Sequence, residues 1–105
     1  MEILEELRTY VHKTTRNYPE DREAVYRELT GFYERIDLQY MELTAPDQEE
    51  ERVTLERVLE KIDGIRQETT IPREIEGETV TREIHTRLIL LQGELAQLLF
   101  IEHAK

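Results

Sequence analysis

The amino-acid sequence predicts an all-α protein, an antiparallel three-helix bundle with an additional N-terminal helix, which makes four helices in total. Apolar residues recur at intervals of three and four along most of the 105 residues, which is the period of an amphipathic helix. The three prolines, Pro19, Pro46 and Pro72, divide the chain into four segments and stand where helices begin or end. Short connections favour antiparallel neighbours, and residues 1–105 are expected to form one domain with one core.

The first two predicted helices cover residues 2–17 and 19–43. The apolar stripe of the first helix comprises Ile3, Leu7, Tyr10, Val11 and Thr14. The stripe of the second helix comprises Val25, Leu29, Phe32, Ile36, Tyr40 and Leu43. Gly31 lies inside this second segment, where a glycine costs about 1 kcal/mol relative to alanine. Because the stripe continues past Gly31, we predict one unbroken helix.

Three tyrosines of the second helix, Tyr26, Tyr33 and Tyr40, recur every seven residues and therefore share one helix face. The simpler interpretation is that they form a half-buried flank of the core. The alternative is a contact surface for another molecule, because tyrosine is enriched at protein interfaces. The sequence leaves both interpretations open.

The third and fourth predicted helices cover residues 47–67 and 80–102. The stripe of the third helix comprises Leu55, Val58, Leu59, Ile62 and Ile65. The stripe of the fourth helix comprises Val80, Ile84, Leu88, Leu91, Leu95, Leu98 and Leu99. Residues 68–79 are the least regular part of the chain, and we expect a loop there. Thr79 or Thr81 would then be the N-cap of the fourth helix, since threonine is a favoured capping residue.

The fourth helix carries more apolar residues than one stripe requires. The additional residues are Ile89, Leu90, Phe100 and Ile101. They widen the apolar surface well beyond a single narrow face. The sequence therefore predicts that this helix is central in the bundle or contacts a second partner.

Composition and charge limit the classes of function. The net charge is −10, from 24 acidic against 14 basic residues, so we expect nucleic acid and anionic lipid to be repelled. The longest apolar runs, 88–91 and 98–101, are far shorter than the ~20 residues that span a bilayer. The N-terminus has no basic segment followed by an apolar stretch, so no secretory signal is expected. The absence of cysteine points to no oxidising compartment, and we expect a cytoplasmic protein.

Catalytic and metal-binding patterns are missing from the sequence. The chain contains neither serine nor cysteine, which excludes both as nucleophiles. The histidines, His12, His85 and His103, form no pair at helical spacing and follow no Glu-x-x-His pattern. The acidic runs lie in polar contexts and are typical of solvated helix faces. We therefore predict that the protein is not an enzyme and holds no metal or cofactor.

Two stretches resemble the BAG domain family. Residues 55–65, Leu-Glu-Arg-Val-Leu-Glu-Lys-Ile-Asp-Gly-Ile, resemble the second helix of BAG domains, in which paired aliphatic residues precede Leu/Ile-Asp-x-Ile/Val. Residues 88–95, Leu-Ile-Leu-Leu-Gln-Gly-Glu-Leu, resemble the third-helix pattern aliphatic-x-x-aliphatic-Gln-x-x-Leu. The resemblance covers roughly half of the chain. It implies an antiparallel three-helix bundle that binds the ATPase domain of DnaK-type heat-shock chaperones and promotes nucleotide release.

The resemblance also implies which polar residues contact the chaperone. Asp63 and Gln92 stand at matching positions. The family usually has an acid about ten residues before the aspartate, where this chain has Val53. Glu56 lies on the same helix face as Asp63 and could take the place of that missing acid. Seven and eight residues before the glutamine the family has an Arg-Lys pair, where this chain has His85 and Ile84. Arg82 and Arg87 lie nearby. The candidate partner-binding residues are Glu56, Asp63, Arg82, His85, Arg87 and Gln92.

The function that these patterns predict is protein–protein interaction. A BAG-like co-chaperone is the first hypothesis, with a heat-shock chaperone as the partner. The alternative is a helical adaptor, an inhibitor or a self-assembling scaffold subunit that binds another protein, which the excess apolar surface of the fourth helix favours. A homo-oligomer is compatible with this alternative.

Overall fold

The computed structural model describes residues 2–17, 22–70 and 73–104, and the side chains of 2–17, 22–70 and 82–100. The four helices are α1 (Glu2–Arg16), α2 (Arg22–Glu42), α3 (Glu49–Thr69) and α4 (Arg73–Ala104). A single 3₁₀ turn, Pro46–Gln48, precedes α3, and no strand occurs among the described residues. The all-α prediction with four helices is therefore confirmed. The predicted start of the second helix at residue 19 lies outside the described residues.

The helices form a ring in the order α1, α4, α3, α2. The extensive contacts are α2 with α3, α1 with α4, and α3 with α4, whereas α1 and α2 contact each other lightly. The helices that face each other across the ring, α1 with α3 and α2 with α4, make no close backbone contact among the described residues. Arg57 of α3 forms an ion pair with Glu94 of α4, whereas Glu68, further along α3, pairs with Arg87, which comes before Glu94 in α4. These pairs show that α3 and α4 are antiparallel, as the sequence predicts.

The first helix is a full member of the bundle. Leu4, Leu7 and Val11 of α1 are completely or almost completely buried, and they join a core to which every helix contributes. The remaining core residues are Ile3, Val25, Leu29, Ile36, Leu55, Val58, Leu59, Ile62, Ile65, Ile84, Leu88, Leu91, Leu95 and Leu99. Each predicted stripe thus supplies the buried face of its helix. The additional N-terminal helix is thus packed into the bundle, and the four helices share one core.

Arg52 stabilises the connection between α2 and α3. Its Nη1 donates hydrogen bonds to the backbone oxygens of Leu43, at 2.9 Å, and Ala45, at 3.4 Å. The last carbonyl groups of a helix have no partner within the helix, and an arginine can supply one. The backbone N–H of Ala45 donates to Oε1 of Gln48 at 3.1 Å. These bonds hold the turn that brings α3 back along α2.

The predicted loop at residues 68–79 is wrong. The third helix continues to Thr69 and the fourth begins at Arg73, so only residues 70–72 separate them. Thr79 and Thr81 consequently lie inside α4 and do not cap it. The longest helix therefore has 32 residues and corresponds to a length of about 48 Å.

The sequence of this segment contains features that favour the start of a helix at residue 73. Proline is well tolerated at the start of a helix, and Pro72 immediately precedes the first helical residue, Arg73. Glu74 and Glu76 follow in the first turn, where acidic residues favour the positive end of the helix dipole. Gly77 costs only about 1 kcal/mol. A single glycine is therefore not enough to end a helix that continues into a strongly apolar stripe.

We predict that Leu7→Ala destabilises the protein by about 2–5 kcal/mol, because it removes buried methyl groups from the centre of the four-helix core. The measurement is denaturant unfolding followed by circular dichroism. Thr9→Ala, at an exposed position of the same helix, is the control and should change stability by no more than about 0.5 kcal/mol. Equal, small effects of the two substitutions would show that α1 is only loosely attached.

Candidate protein-binding face

From Thr86 to Phe100 the outward surface of α4 carries no charged side chain and is largely apolar. Its exposed residues are Thr86, Ile89, Leu90, Gly93, Gln97 and Phe100, which together we call the open face. The exposed fractions are 49% for Ile89, 60% for Leu90 and 75% for Phe100. Between Arg87 and Phe100 the only charged residue is Glu94, although 36% of the whole chain is charged. The open face is therefore unlike the rest of the surface.

The open face arises because α4 has two apolar sides. The buried stripe from Ile84 to Leu99 points into the core, and α1 and α3 cover the two edges beside it. Ile89, Leu90 and Phe100 fall on the opposite side of the helical wheel. The prediction that extra apolar residues widen the surface of the fourth helix is confirmed for these three. Ile101 lies outside the described side chains.

Gly93 lies in the middle of the open face. A Cβ atom added there would meet no atom within 4 Å. Packing within the bundle thus gives no reason for a glycine, which costs about 1 kcal/mol inside a helix. Its effect is to leave the helix backbone uncovered, so that another chain can approach closely at this point.

Charged residues border the open face on the α3 side. The carboxylate of Glu94 contacts Arg57 at 3.1 Å and Lys61 at 3.8 Å. Further along the same seam, Arg87 contacts Glu83 at 3.2 Å and Glu68 at 3.7 Å. All are partly exposed ion pairs, which contribute little to stability on their own. Their effect is a hydrophilic border beside an apolar strip.

The border on the α1 side contains a groove and a hydrogen bond. The groove runs between α1 and α4 beside Phe100 and is lined by Glu5, Arg8, Ala96, Leu99 and Phe100. Nearer the middle of α4, Nε2 of Gln92 lies 2.6 Å from Nδ1 of His12. This contact fixes Gln92 toward α1.

The two residues that carry the BAG resemblance lie on different edges of the α3–α4 pair. Asp63 accepts a hydrogen bond from Gln67 at 3.0 Å and contacts Arg66 at 3.6 Å. Arg66 in turn lies over tyrosine rings of α2, so this edge of α3 faces α2. Gln92 instead bonds to His12 of α1. Asp63 and Gln92 are therefore directed away from each other.

The other candidate residues are also divided. Glu56 is exposed and, seven residues before Asp63, lies on the same side of α3. Arg87 belongs to α4 and packs against the other side of α3, away from Glu56 and Asp63. A Cβ atom added to Gly64 of α3 would be 3.0 Å from Nη1 of Arg87. Arg82 is exposed and His85 is half-buried on α4. The structure thus groups Glu56 with Asp63, and separates both from the candidates on α4.

The tyrosines of α2 form a partly buried flank that Arg66 covers. The guanidinium carbon of Arg66 is 4.8 Å from the ring centroid of Tyr33 and 5.5 Å from that of Tyr26. Tyr33 and Tyr40 pack against the core, and Tyr26 is partly exposed. This agrees with the core-flank interpretation. The role of Arg66 was not predicted, because the sequence does not show which arginine of α3 faces α2.

No protein-family model, curated protein or solved structure significantly matches this chain. Within the described residues, no helix combines the length and the apolar character needed to cross a lipid bilayer. The same part of the chain contains no group of three or more histidine, aspartate or glutamate side chains arranged to hold a metal ion.

We predict that Gly93→Ala raises the free energy of unfolding of the isolated chain by about 0.5–1 kcal/mol, since alanine favours the helix and the added methyl group meets open space. Thermal or urea unfolding of a dilute sample measures the change. Gly64→Ala is the matched control, because its methyl group must displace Arg87, and its gain should be smaller. A loss of stability in Gly93→Ala would mean that the helix is not regular at this residue.

Proposed function

We propose that this chain is a cytoplasmic protein-interaction module that binds a protein partner through the open face of α4. The observation that carries the proposal is the exposure of Ile89, Leu90 and Phe100 on an uncharged surface of a highly charged chain. Contiguous exposed apolar patches with a polar border mark interaction sites in soluble proteins. The proposal assigns no catalytic step to the chain.

The residues of the open face suit a binding surface energetically. Full burial of an isoleucine, leucine or phenylalanine side chain contributes roughly 1.5–3 kcal/mol. Phe100 is the most exposed of the three at 75%, and an aromatic side chain is a common anchor of an interface. The ion pairs of Glu94 and Arg87 beside the face resemble the polar rim that surrounds an apolar interface core.

A photo-crosslinking amino acid at position 97 tests this proposal. Gln97 is exposed within the open face, so we expect discrete crosslinked products in cells that contain the partner. The matched control carries the same amino acid at Glu60, an exposed position on α3, and should give none. Leu90→Lys should abolish the product from position 97. Products of equal yield from both positions, or from neither, would contradict the proposal.

Binding to the ATPase domain of a DnaK-type heat-shock chaperone is a second, narrower candidate function. The BAG resemblance of residues 55–65 and 88–95 supports it, together with the antiparallel packing of the two helices that carry these residues. The separation of Asp63 from Gln92 weakens it, because a single contact surface would need both residues on one side. In this candidate, the exposed pair of Glu56 and Asp63 makes the polar contacts.

The chaperone candidate predicts faster release of a fluorescent nucleotide from the ATPase domain when this chain is added in stopped-flow mixing. Asp63→Ala should weaken the effect about tenfold, equivalent to ~1.4 kcal/mol, as expected for loss of a hydrogen bond to a charged group. Glu51→Ala, at an exposed position on a different side of the same helix, is the control and should leave the rate unchanged. Unchanged nucleotide release with the wild-type chain would eliminate this function.

A further inference from the structure

Among the described side chains, another exposed apolar patch lies on α2. Leu38 and Met41 are each 64% exposed. Glu34 and Glu42 are also exposed, and helical spacing sets Glu34, Asp37, Leu38, Met41 and Glu42 on one side of α2. We call these five residues the acidic face. Its two apolar side chains and the three of the open face account for five of the seven large apolar residues that are exposed in the described part of the chain.

The acidic face and the open face lie on opposite sides of the molecule. The ring order of the helices makes α2 and α4 the diagonal pair, with no close backbone contact between them. An outward surface of α2 therefore points away from an outward surface of α4. One molecule cannot bring these two faces together, but two molecules can.

The acidic face and the border of the open face carry different net charges. The acidic face has three carboxylates, and the nearby Arg35 is already paired with Glu6 of α1. Both basic and acidic residues border the open face. Its basic neighbours are Arg8, Arg57, Lys61, Arg82 and Arg87, and its acidic neighbours are Glu5, Glu68, Glu83 and Glu94. This surface is thus close to neutral in a chain of net charge −10, so the acidic face of a second molecule can approach it with less repulsion than the net charge implies.

A glycine lies beside each apolar patch. Gly31 precedes Glu34 by one helical turn on α2, and Gly93 is central in the open face of α4. A Cβ atom added to either residue meets nothing within 4 Å, so neither glycine is required by packing within one molecule. Each glycine weakens its helix by roughly 1 kcal/mol. Close approach of a helix from a neighbouring molecule would explain why glycine stands at both positions.

Resting on the proposed function of the open face, we propose that its partner is a second copy of this chain, bound through the acidic face of α2. The contact joins unlike faces, so each bound molecule keeps one free open face or one free acidic face for the next copy. Such a head-to-tail contact produces an open-ended chain of molecules unless its rotation closes a ring. A like-with-like contact between open faces would leave Leu38 and Met41 exposed, and one between acidic faces would oppose six carboxylates.

The association is weak and depends on concentration. A contact between single helix faces falls at the lower end of interface sizes, where areas below about 1,200 Å² are typical of transient complexes. Sedimentation or light scattering should therefore show a mean mass that rises above the 12.6 kDa of one chain as the concentration increases from about 10 μM toward 1 mM.

Two variants that each block one face test the direction of the contact. Leu90→Lys blocks the open face and Met41→Lys blocks the acidic face, because each places a charged group where the contact would bury an apolar side chain. Both positions are at least 60% exposed, so both variants should fold and melt like the wild type, which circular dichroism checks. Val53→Lys, at a half-exposed position of α3 outside both faces, is the matched control and should associate like the wild type.

The expected result is that each blocked variant alone has the mass of one chain at every concentration. An equimolar mixture should reach the mass of two chains and not exceed it, because only one productive contact remains. A wild-type chain that stays monomeric up to 1 mM would overturn the inference, as would a Met41→Lys variant that still dimerises, which indicates contact between like open faces. If the wild-type chain is monomeric, a crosslink from position 97 to a different protein would still support the proposed function of the open face. If no such crosslink forms either, the proposed function and the inference of self-association are both wrong.

Discussion

The packing of α4 between α1 and α3 is the interaction on which the rest of the bundle depends. The buried stripe of α4 runs from Ile84 to Leu99, and the helix contacts both neighbours extensively. α1 touches α2 only lightly, so its place in the bundle is fixed by α4. Removing α4 would expose Leu4, Leu7 and Val11 as well as the inner side of α3. The helix that stabilises the core is also the helix whose other side stays uncovered.

Much of the fold could be predicted because a helical stripe depends only on the order of residues. Leu29, Ile62 and Leu91, in the predicted stripes of α2, α3 and α4, are completely buried, and the direction of each helix follows from short connections. The predicted loop at 68–79 failed for a local reason. The turn signals there are a glycine and a proline, and the proline stands just before α4, where a helix tolerates it.

The candidate site was harder to predict than the fold, because a site depends on how each helix is rotated about its own axis. Sequence spacing groups Glu56 with Asp63 correctly, since both lie on α3. It cannot relate Asp63 to Gln92, whose directions are set by contacts with α2 and α1 respectively. The cover that Arg66 gives to Tyr26 and Tyr33 is another contact between helices of this kind. The open face was accessible to prediction because a surplus of apolar residues on a single helix is visible in its sequence.

The ring order of the helices also has a consequence for the folding pathway. Pairings of α2 with α3 and of α3 with α4 join consecutive helices, so each closes only a short loop of chain. The extensive contact of α1 with α4 instead joins the two ends of the described chain, from His12 to Gln92. This contact therefore closes the longest loop of the ring and raises the contact order of an otherwise local topology. We therefore expect docking of the first helix onto α4, rather than formation of the hairpins, to complete the cooperative structure.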